Sequence, residues 1–377
     1  MAGPPAEAPV ATSPLKKALT HSLGFWALAA PLWVLVGAAL DHRFALDFRR
    51  AFLPAAHAVV RGASPYSVIG SRELAEGTAF LYPPLAAYLL TPFTVIPASA
   101  AGVIAVLLAA ATVPATLLLL GVRDWRCYAV AFLWWPTIIG IQTANLTLPM
   151  LLGLAIAWRF RNRMLVAAAA LGLVVALKLF FWPLLVWLVA TRRYRTATLA
   201  TLTSLTLVLL PWAAIGFTGL RRYPQLLSSV SNHEGPHSYS VAALIHAVVP
   251  SWTAAIGVET ALGFGILGLA LHLGRHGRDR DAFALAILSV LVLTPLLEMH
   301  YFAALLVIVA LYRPRLGPAW FAPLLIWGFP ATVAGSAVRV GLVLLVVAVT
   351  VGLARSDWRP RTWGRVSPLR TAMRETT

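Results

Sequence analysis

The sequence predicts an all-α polytopic membrane protein, a single domain of about twelve transmembrane helices, from three observations. The 377 residues are 60% hydrophobic and only 11% charged, with a mean hydropathy of +0.81; a soluble domain carries about 25% charged residues. The apolar runs are continuous and do not alternate with period two, which selects helices over a barrel. Clusters of Lys and Arg recur between the runs, as in cytoplasmic turns of membrane proteins. That pattern also accounts for the net charge of +17 and pI near 11.2. No soluble module with a nucleic-acid-binding signature accompanies it, so nucleic acid is not an expected partner. The single cysteine, Cys127, excludes an intramolecular disulfide and a multi-cysteine metal cage.

Taken in order, residues 1–14 are rich in Pro and Ala and read as a disordered cytoplasmic tail. Lys16 and Lys17 precede a first helix at about Leu23–Leu40, which lacks a cleavage pattern and stays as a span. With the lysines inside, residues 41–97 form an extracytoplasmic loop with membrane-embedded elements. Within it, 48–61 reads as a surface helix with Arg50, His57 and Arg61 on one stripe. Pro83–Pro97 is apolar but too short to cross. Ala98–Leu120 descends to Arg123–Arg126, Tyr128–Ile141 rises to Gln142–Asn145, and Leu146–Trp158 returns to Arg159, Arg161 and Arg163. Segment 164–191 reads as two short helices turning at Lys178, because basic clusters flank both ends. Thr198–Phe217 rises to an outer loop, Thr218–Ser240, followed by a second surface element at Val241–Val249. Thr253–Leu273 descends, Ala282–Leu297 rises to Glu298, and Phe302–Leu311 descends to Arg313 and Arg315. A hairpin, Ala319–Ala334 and Val338–Leu353, closes the transmembrane domain (15–354), and 355–377 is a basic cytoplasmic tail.

Polar residues concentrate in Asp41–Pro84, which holds Asp41, Asp47, Glu73 and Glu76 among the chain's 13 acidic residues. The topology gathers Asp41, Asp47, His57, Gln142, Asn145, Lys178, His233, His237, Glu298 and His300 on the outer face. A charge at the centre of a membrane helix costs about 2.5–3.5 kcal/mol, so polar groups at such depth mark function. A carboxylate with cations and imidazoles suits transfer from a phosphorylated lipid: the carboxylate deprotonates an acceptor hydroxyl and the cations stabilise the departing phosphate. Each residue also has a structural reading. Asp47 could cap the following helix, Asp41 could end the first helix, and Lys178 could snorkel to the interface. His300 could be interfacial, and Arg50, His57 and Arg61 could meet anionic headgroups. No metal ligands are expected, since Asp41 and Asp47 are not a D-x-D pair and no His or Cys cluster has ligand spacing. No phosphate-cradling glycine loop is present, so no cofactor is expected.

The run D-F-R-R-A-F-L-P-A-A-H-A-V-V-R-G-A-S-P-Y, then F-L-Y-P-P-L, Q-T-A-N-L-T-L-P-M-L-L-G-L-A-I-A-W-R-F-R-N-R, K-L-F-F-W-P-L-L-V-W-L-V-A-T-R-R and L-T-P-L-L-E-M-H-Y follow the first helix in order. In this they resemble the polyprenol-phosphate-mannose-dependent mannosyltransferases of glycosyltransferase family 87. The family often has Gly-Gln before the outer Asn, where this chain has Gln142-Thr143-Ala144-Asn145. The resemblance implies a type-C glycosyltransferase fold and inverting, metal-independent transfer from a lipid-phosphate sugar. It implies Asp47 as general base, His300 as a second acid/base or phosphate contact, and Lys178 and Asn145 at the donor site. Arg50 or Arg61 would steady the phosphate, and Asp41, His57, Tyr66 and Glu298 complete the expected substrate contacts.

The expected function is therefore mannose transfer from polyprenyl-phosphate-mannose to a lipid-linked or cell-envelope glycan acceptor, at the extracytoplasmic face of the plasma membrane. The partners are the lipid donor, the glycolipid or glycan acceptor and membrane lipids. Rival readings are arabinofuranosyl or other sugar transfer from the same kind of donor, a multi-pass transporter or lipid flippase, and a non-catalytic scaffold. A transporter calls for polar groups at the midplane and matched broken helices in two halves.

Overall fold

The computed structural model describes residues 14–330 and 334–356, the side chains of residues 14–20 excepted. The two tails expected at 1–14 and 355–377 therefore fall almost entirely outside the described residues. Among these residues the chain is helical throughout, with no strand. Five helices are long and apolar enough to cross a bilayer: His21–Leu40, Ala98–Leu119, Tyr194–Ala214, Trp252–Arg275 and Ala337–Arg355. Trp135–Thr143 and Thr147–Arg159, bent by 114° at a short break, would make a sixth. Met164–Leu177, Leu179–Ala190 and Met299–Tyr312 are shorter apolar helices.

Several runs that read as single helices are broken, and proline accounts for the breaks. The run expected at Tyr128–Ile141 is two helices, Trp125–Leu133 and Trp135–Thr143, joined at the extended residue Trp134 (φ −67°, ψ 123°). Pro136 has no amide hydrogen to offer the Phe132 carbonyl, and the Leu133 carbonyl beside the break accepts from the Trp327 indole N–H at 2.6 Å. The helix expected to reach Leu297 ends at Val292, three residues before Pro295. The expected Ala319–Ala334 span is a short helix, Pro318–Phe321, and a 3₁₀ segment, Ala322–Gly328. The turn expected at Lys178 is present. Met164–Leu177 ends at Lys178 in extended backbone, a 3₁₀ turn covers Leu179–Phe181, and Pro183 opens the next helix. Gly172 lets the Met164–Leu177 helix press against Tyr194–Ala214, since a Cβ there would lie 2.6 Å from Thr203 Cβ.

The bundle has two chemically different ends. At one, the turns carrying most of the arginines are tied together. Asp279 accepts from Arg161 at 3.1 Å, from Arg193 at 2.9 and 3.2 Å, and from the Trp187 indole at 2.7 Å. The Asp124 carboxylate accepts from the Leu316 amide at 3.1 Å, and Arg280 donates to the Leu311 carbonyl. At the other end, Asp47, Tyr82, Asn145, Lys178 and Tyr301 meet.

The Asp279 carboxylate is only 25% exposed and accepts from three side chains, Arg161, Arg193 and Trp187, that come from two other turns and a neighbouring helix. Asp279→Ala should destabilise the protein by about 2 kcal/mol, between the cost of losing an exposed pair and a fully buried one. A thermal melt in detergent checks this; an unchanged melting temperature would deny the clamp a structural role.

Candidate functional site

The polar end is built from two strained turns that grip each other. After the first helix, Pro14–Leu40, the chain reverses through His42 (φ 57°) and Ala45 (φ 52°), both left-handed. The Trp135–Thr143 helix ends in left-handed Ala144 (φ 51°). These are three of the five non-glycine residues with positive φ among the described residues, and strain of this kind, about 1–3 kcal/mol each, concentrates at functional sites. The Ala45 amide donates to the Gln142 carbonyl at 2.7 Å, and Gln142 Nε2 donates to the Arg43 carbonyl at 3.3 Å.

Asp47 follows immediately and opens a π-helical turn, Phe48–Phe52, a form that recurs at functional sites. Buried Phe48 and Phe52 pin that turn against Phe93, Phe80 and Tyr82. The carboxylate is met from across the cleft by Asn145, whose Nδ2 donates to Asp47 Oδ2 at 2.6 Å. The amide can face only one way. Asn145 Oδ1 already accepts from Tyr82 Oη (3.2 Å), the Thr147 amide (2.9 Å) and Thr147 Oγ1 (2.9 Å), which leaves the nitrogen for the aspartate.

Lys178 lies behind this pair, 8% exposed and caged by two tyrosines. Its Nζ donates to Tyr301 Oη and to Tyr82 Oη (3.4 Å), and stands 3.6 and 4.9 Å from the two ring centres. The two rings and hydroxyls hold the lysine nitrogen in a fixed place.

Glu298 and His300 arrive on the segment after the Asp279–Val292 helix. That segment is fastened by the Tyr239 amide on the Leu297 carbonyl (2.7 Å) and Ser238 Oγ on the Pro295 carbonyl (3.2 Å). His300 is buried, stacks on Tyr301 and places Nδ1 3.2 Å from Glu298 Oε2; its Nε2 has no hydrogen-bond partner. Asp47, Glu298 and His300 each bring one ligand atom within 4.8 Å of the others, a set that could hold a small divalent cation. Lys178 acts on the same two carboxylates as a positive charge supplied by the chain itself.

Burial raises the Asp47 carboxyl above the usual carboxylate range, opposed by hydrogen bonds from Asn145 and Thr143 and by the Lys178 charge. Glu298 lines the cavity, half exposed to it, with the walls screening it in part from bulk solvent. Burial, and next the Asp47 charge, push it up to about 7 against the pull of Lys178. Two close carboxylates of this kind each disfavour the other's ionisation.

The cavity above the cluster has a volume of about 1080 Å³. Of the residues singled out in the sequence, Asp41, Asp47, Arg50, Glu298 and His300 line it, and Asn145 and Lys178 stand directly behind Asp47. His57 and Arg61 do not line it. The stripe that joined them to Arg50 assumed an unbroken α-helix, and the wider π turn shifts everything after Phe52. Tyr66 is also outside the cavity. It stacks on Trp212 at 5.1 Å and donates to the Tyr82 carbonyl at 2.9 Å, so it anchors the loop. Sequence reasoning missed Arg43 as a lining residue, and Tyr82 and Tyr301 as the lysine cage. It also missed the metal-ligand geometry, which unites residues 47, 298 and 300. Tyr82 was visible only as a turn signal before two prolines, and Tyr301 only as the neighbour of His300.

No curated protein and no solved structure matches the chain. The family model of glycosyltransferase family 87 matches residues 80–299, more than half of the sequence. The matched span contains Tyr82, Asn145, Lys178 and Glu298, whereas Asp47 precedes it and His300 follows it. A helical membrane protein with a carboxylate, a caged lysine and a polar cavity at one end thus falls within a family of sugar-transferring enzymes: the chain belongs to glycosyltransferase family 87.

Proposed function

We propose that this membrane glycosyltransferase transfers mannose from polyprenyl-phosphate-mannose to a lipid-linked or cell-envelope glycan. The reaction takes place at the extracytoplasmic face of the plasma membrane, on a type-C scaffold of about twelve transmembrane helices. The observation that carries this reading is the meeting of Asp47, Lys178, Glu298 and His300 at one cavity. The arginine-rich turns at the opposite end of the bundle fit a cytoplasmic side there.

In the proposed reaction Asp47, aimed by Asn145, takes the proton of an acceptor hydroxyl. The hydroxyl oxygen attacks the anomeric carbon from the face opposite the phosphate. The bond from that carbon to the phosphate oxygen breaks, its electron pair stays on the phosphate, and the configuration inverts. Lys178 and Arg50 supply positive charge for the departing phosphate. His300, held by Glu298, is a second phosphate or proton contact. Because Lys178 already compensates the two carboxylates, the transfer needs no divalent ion.

Asp47→Asn should lower transfer by about 10²–10⁴-fold, the usual contribution of a general base, with expression and donor binding retained. Radiolabelled lipid-phosphate mannose tests this in membranes, with an arabinofuranose donor alongside to identify the sugar. Substantial turnover by the variant would remove Asp47 as the base.

The pH dependence of kcat/KM gives a two-sided check. Asn145 stabilises the ionised Asp47, so Asn145→Ala should move the acidic limb to higher pH. Glu298→Gln removes the neighbouring negative charge and the group near 7, so its acidic limb should move to lower pH. Parallel shifts would separate Asp47 from the limb.

Chelation by EDTA should leave the wild-type rate unchanged. Loss of activity that returns with added Mg²⁺ or Mn²⁺ would instead assign Asp47, Glu298 and His300 to a metal.

A further inference from the structure

The cavity does not stop at the polar cluster. It continues down the first helix past Asp41, Ala38, Gly37, Val34 and Trp33, with Trp135 and Ile139 of the neighbouring helix also lining it. Positions 34, 37, 38 and 41 share one helical face, and at 1.5 Å per residue Trp33 lies about 12 Å deeper than Asp41. That depth is most of one leaflet of a hydrocarbon core about 30 Å thick. The polar chamber therefore runs into an apolar cleft at bilayer depth.

The cleft is open. A Cβ built on Gly37 meets no atom within 4 Å, and Trp33 is 73% exposed. Only 17% of the first helix's apolar window is buried, the lowest share among the five long spans. An enclosed void would show the opposite pattern, so the cleft faces the lipid.

Charge decides which substrate uses it. Arg43 and Arg50, on the segment that follows the first helix, line the same cavity. Asp41 and Asp47 line it beside those arginines, and Glu234 and Glu76, the latter paired with Arg72, line it from other segments, the Tyr223–Glu234 helix and the first loop. A lipid phosphate is drawn to the arginines and repelled by the glutamates.

We propose that the cleft between the last two turns of the first helix and the Trp135–Thr143 helix holds the hydrocarbon chain of the donor, with Arg43 and Arg50 on its phosphate. This rests on the lipid-phosphate donor proposed above and adds where that donor lies. The acceptor then occupies the side of Glu76 and Glu234.

The test compares two lipid-phosphate sugars, one with the full-length chain and one short-chain, water-soluble analogue, on purified protein of confirmed melting temperature. Gly37→Trp puts an indole into the cleft from a position where a Cβ meets no atom. It should raise KM about tenfold for the long-chain donor, through lost burial of the chain, and far less for the short one. Arg43→Gln, acting on the shared phosphate, should raise KM for both donors alike. Gly24→Trp, on the same helix but outside the cavity and equally open, should match the wild type on both. If Gly37→Trp treats the two donors equally, or Arg43→Gln changes neither, the cleft is not the donor site, although wild-type turnover would still uphold the donor class. If the wild type uses neither donor, the proposed function falls and this inference with it.

Discussion

The contact between Asn145 Nδ2 and Asp47 Oδ2, 2.6 Å long, holds the site together. It joins a residue on the first loop to one at the end of a core helix, 98 positions away. A carboxylate carried by a loop would ordinarily sample many orientations, and fixing it costs entropy. Here the surroundings meet that cost. Ala45 is hydrogen-bonded to Gln142, Phe48 and Phe52 are buried, and the asparagine oxygen is saturated by Tyr82 and Thr147. The strained backbone at His42, Ala45 and Ala144 persists because these contacts over-determine it.

The membrane sets the second constraint. In hydrocarbon each backbone amide and carbonyl needs an internal partner, so helices break only where other groups replace the lost hydrogen bonds. The breaks at Trp134 and Ala144 obey this: the Leu133 carbonyl takes the Trp327 indole, and the amide of Asn145 returns to the Gly140 carbonyl. The interruption at Lys178 presents its ammonium to Tyr82 and Tyr301. Two of the three breaks, Ala144 and Lys178, place a polar residue at the cluster. Interrupted helices are thus how a mostly apolar chain brings polar groups to one point.

Much of this was legible in the sequence because it follows from local pattern. Continuous apolar runs gave the helical membrane class, and flanking basic clusters forced the turn at Lys178. The scarcity of charge singled out Asp47, Lys178, Glu298 and His300, which the structure then brings together. What stayed hidden depends on non-local or backbone detail. A π turn leaves no mark on 3.6-residue periodicity, so His57 and Arg61 were grouped with Arg50, whereas of the three only Arg50 lines the cavity. Tyrosines in apolar runs look like packing or interface residues, so the cage around Lys178 could not be read from Tyr82 and Tyr301. The ligand geometry of Asp47, Glu298 and His300 spans most of the chain, and spacing rules search only nearby positions.

The proposed transfer requires the polar cavity to open away from the cytoplasm, with the arginine-rich turns on the opposite side. The native cysteine, Cys127, is buried and should be silent to surface reagents, which makes sidedness directly measurable. Ala75, exposed at the cavity rim, and Arg195, exposed at the start of the Tyr194–Ala214 helix, serve as single reporter positions. With a membrane-impermeant maleimide, Ala75→Cys should react in intact cells and Arg195→Cys only after permeabilisation. The reverse pattern would place the cavity in the cytoplasm and contradict the account.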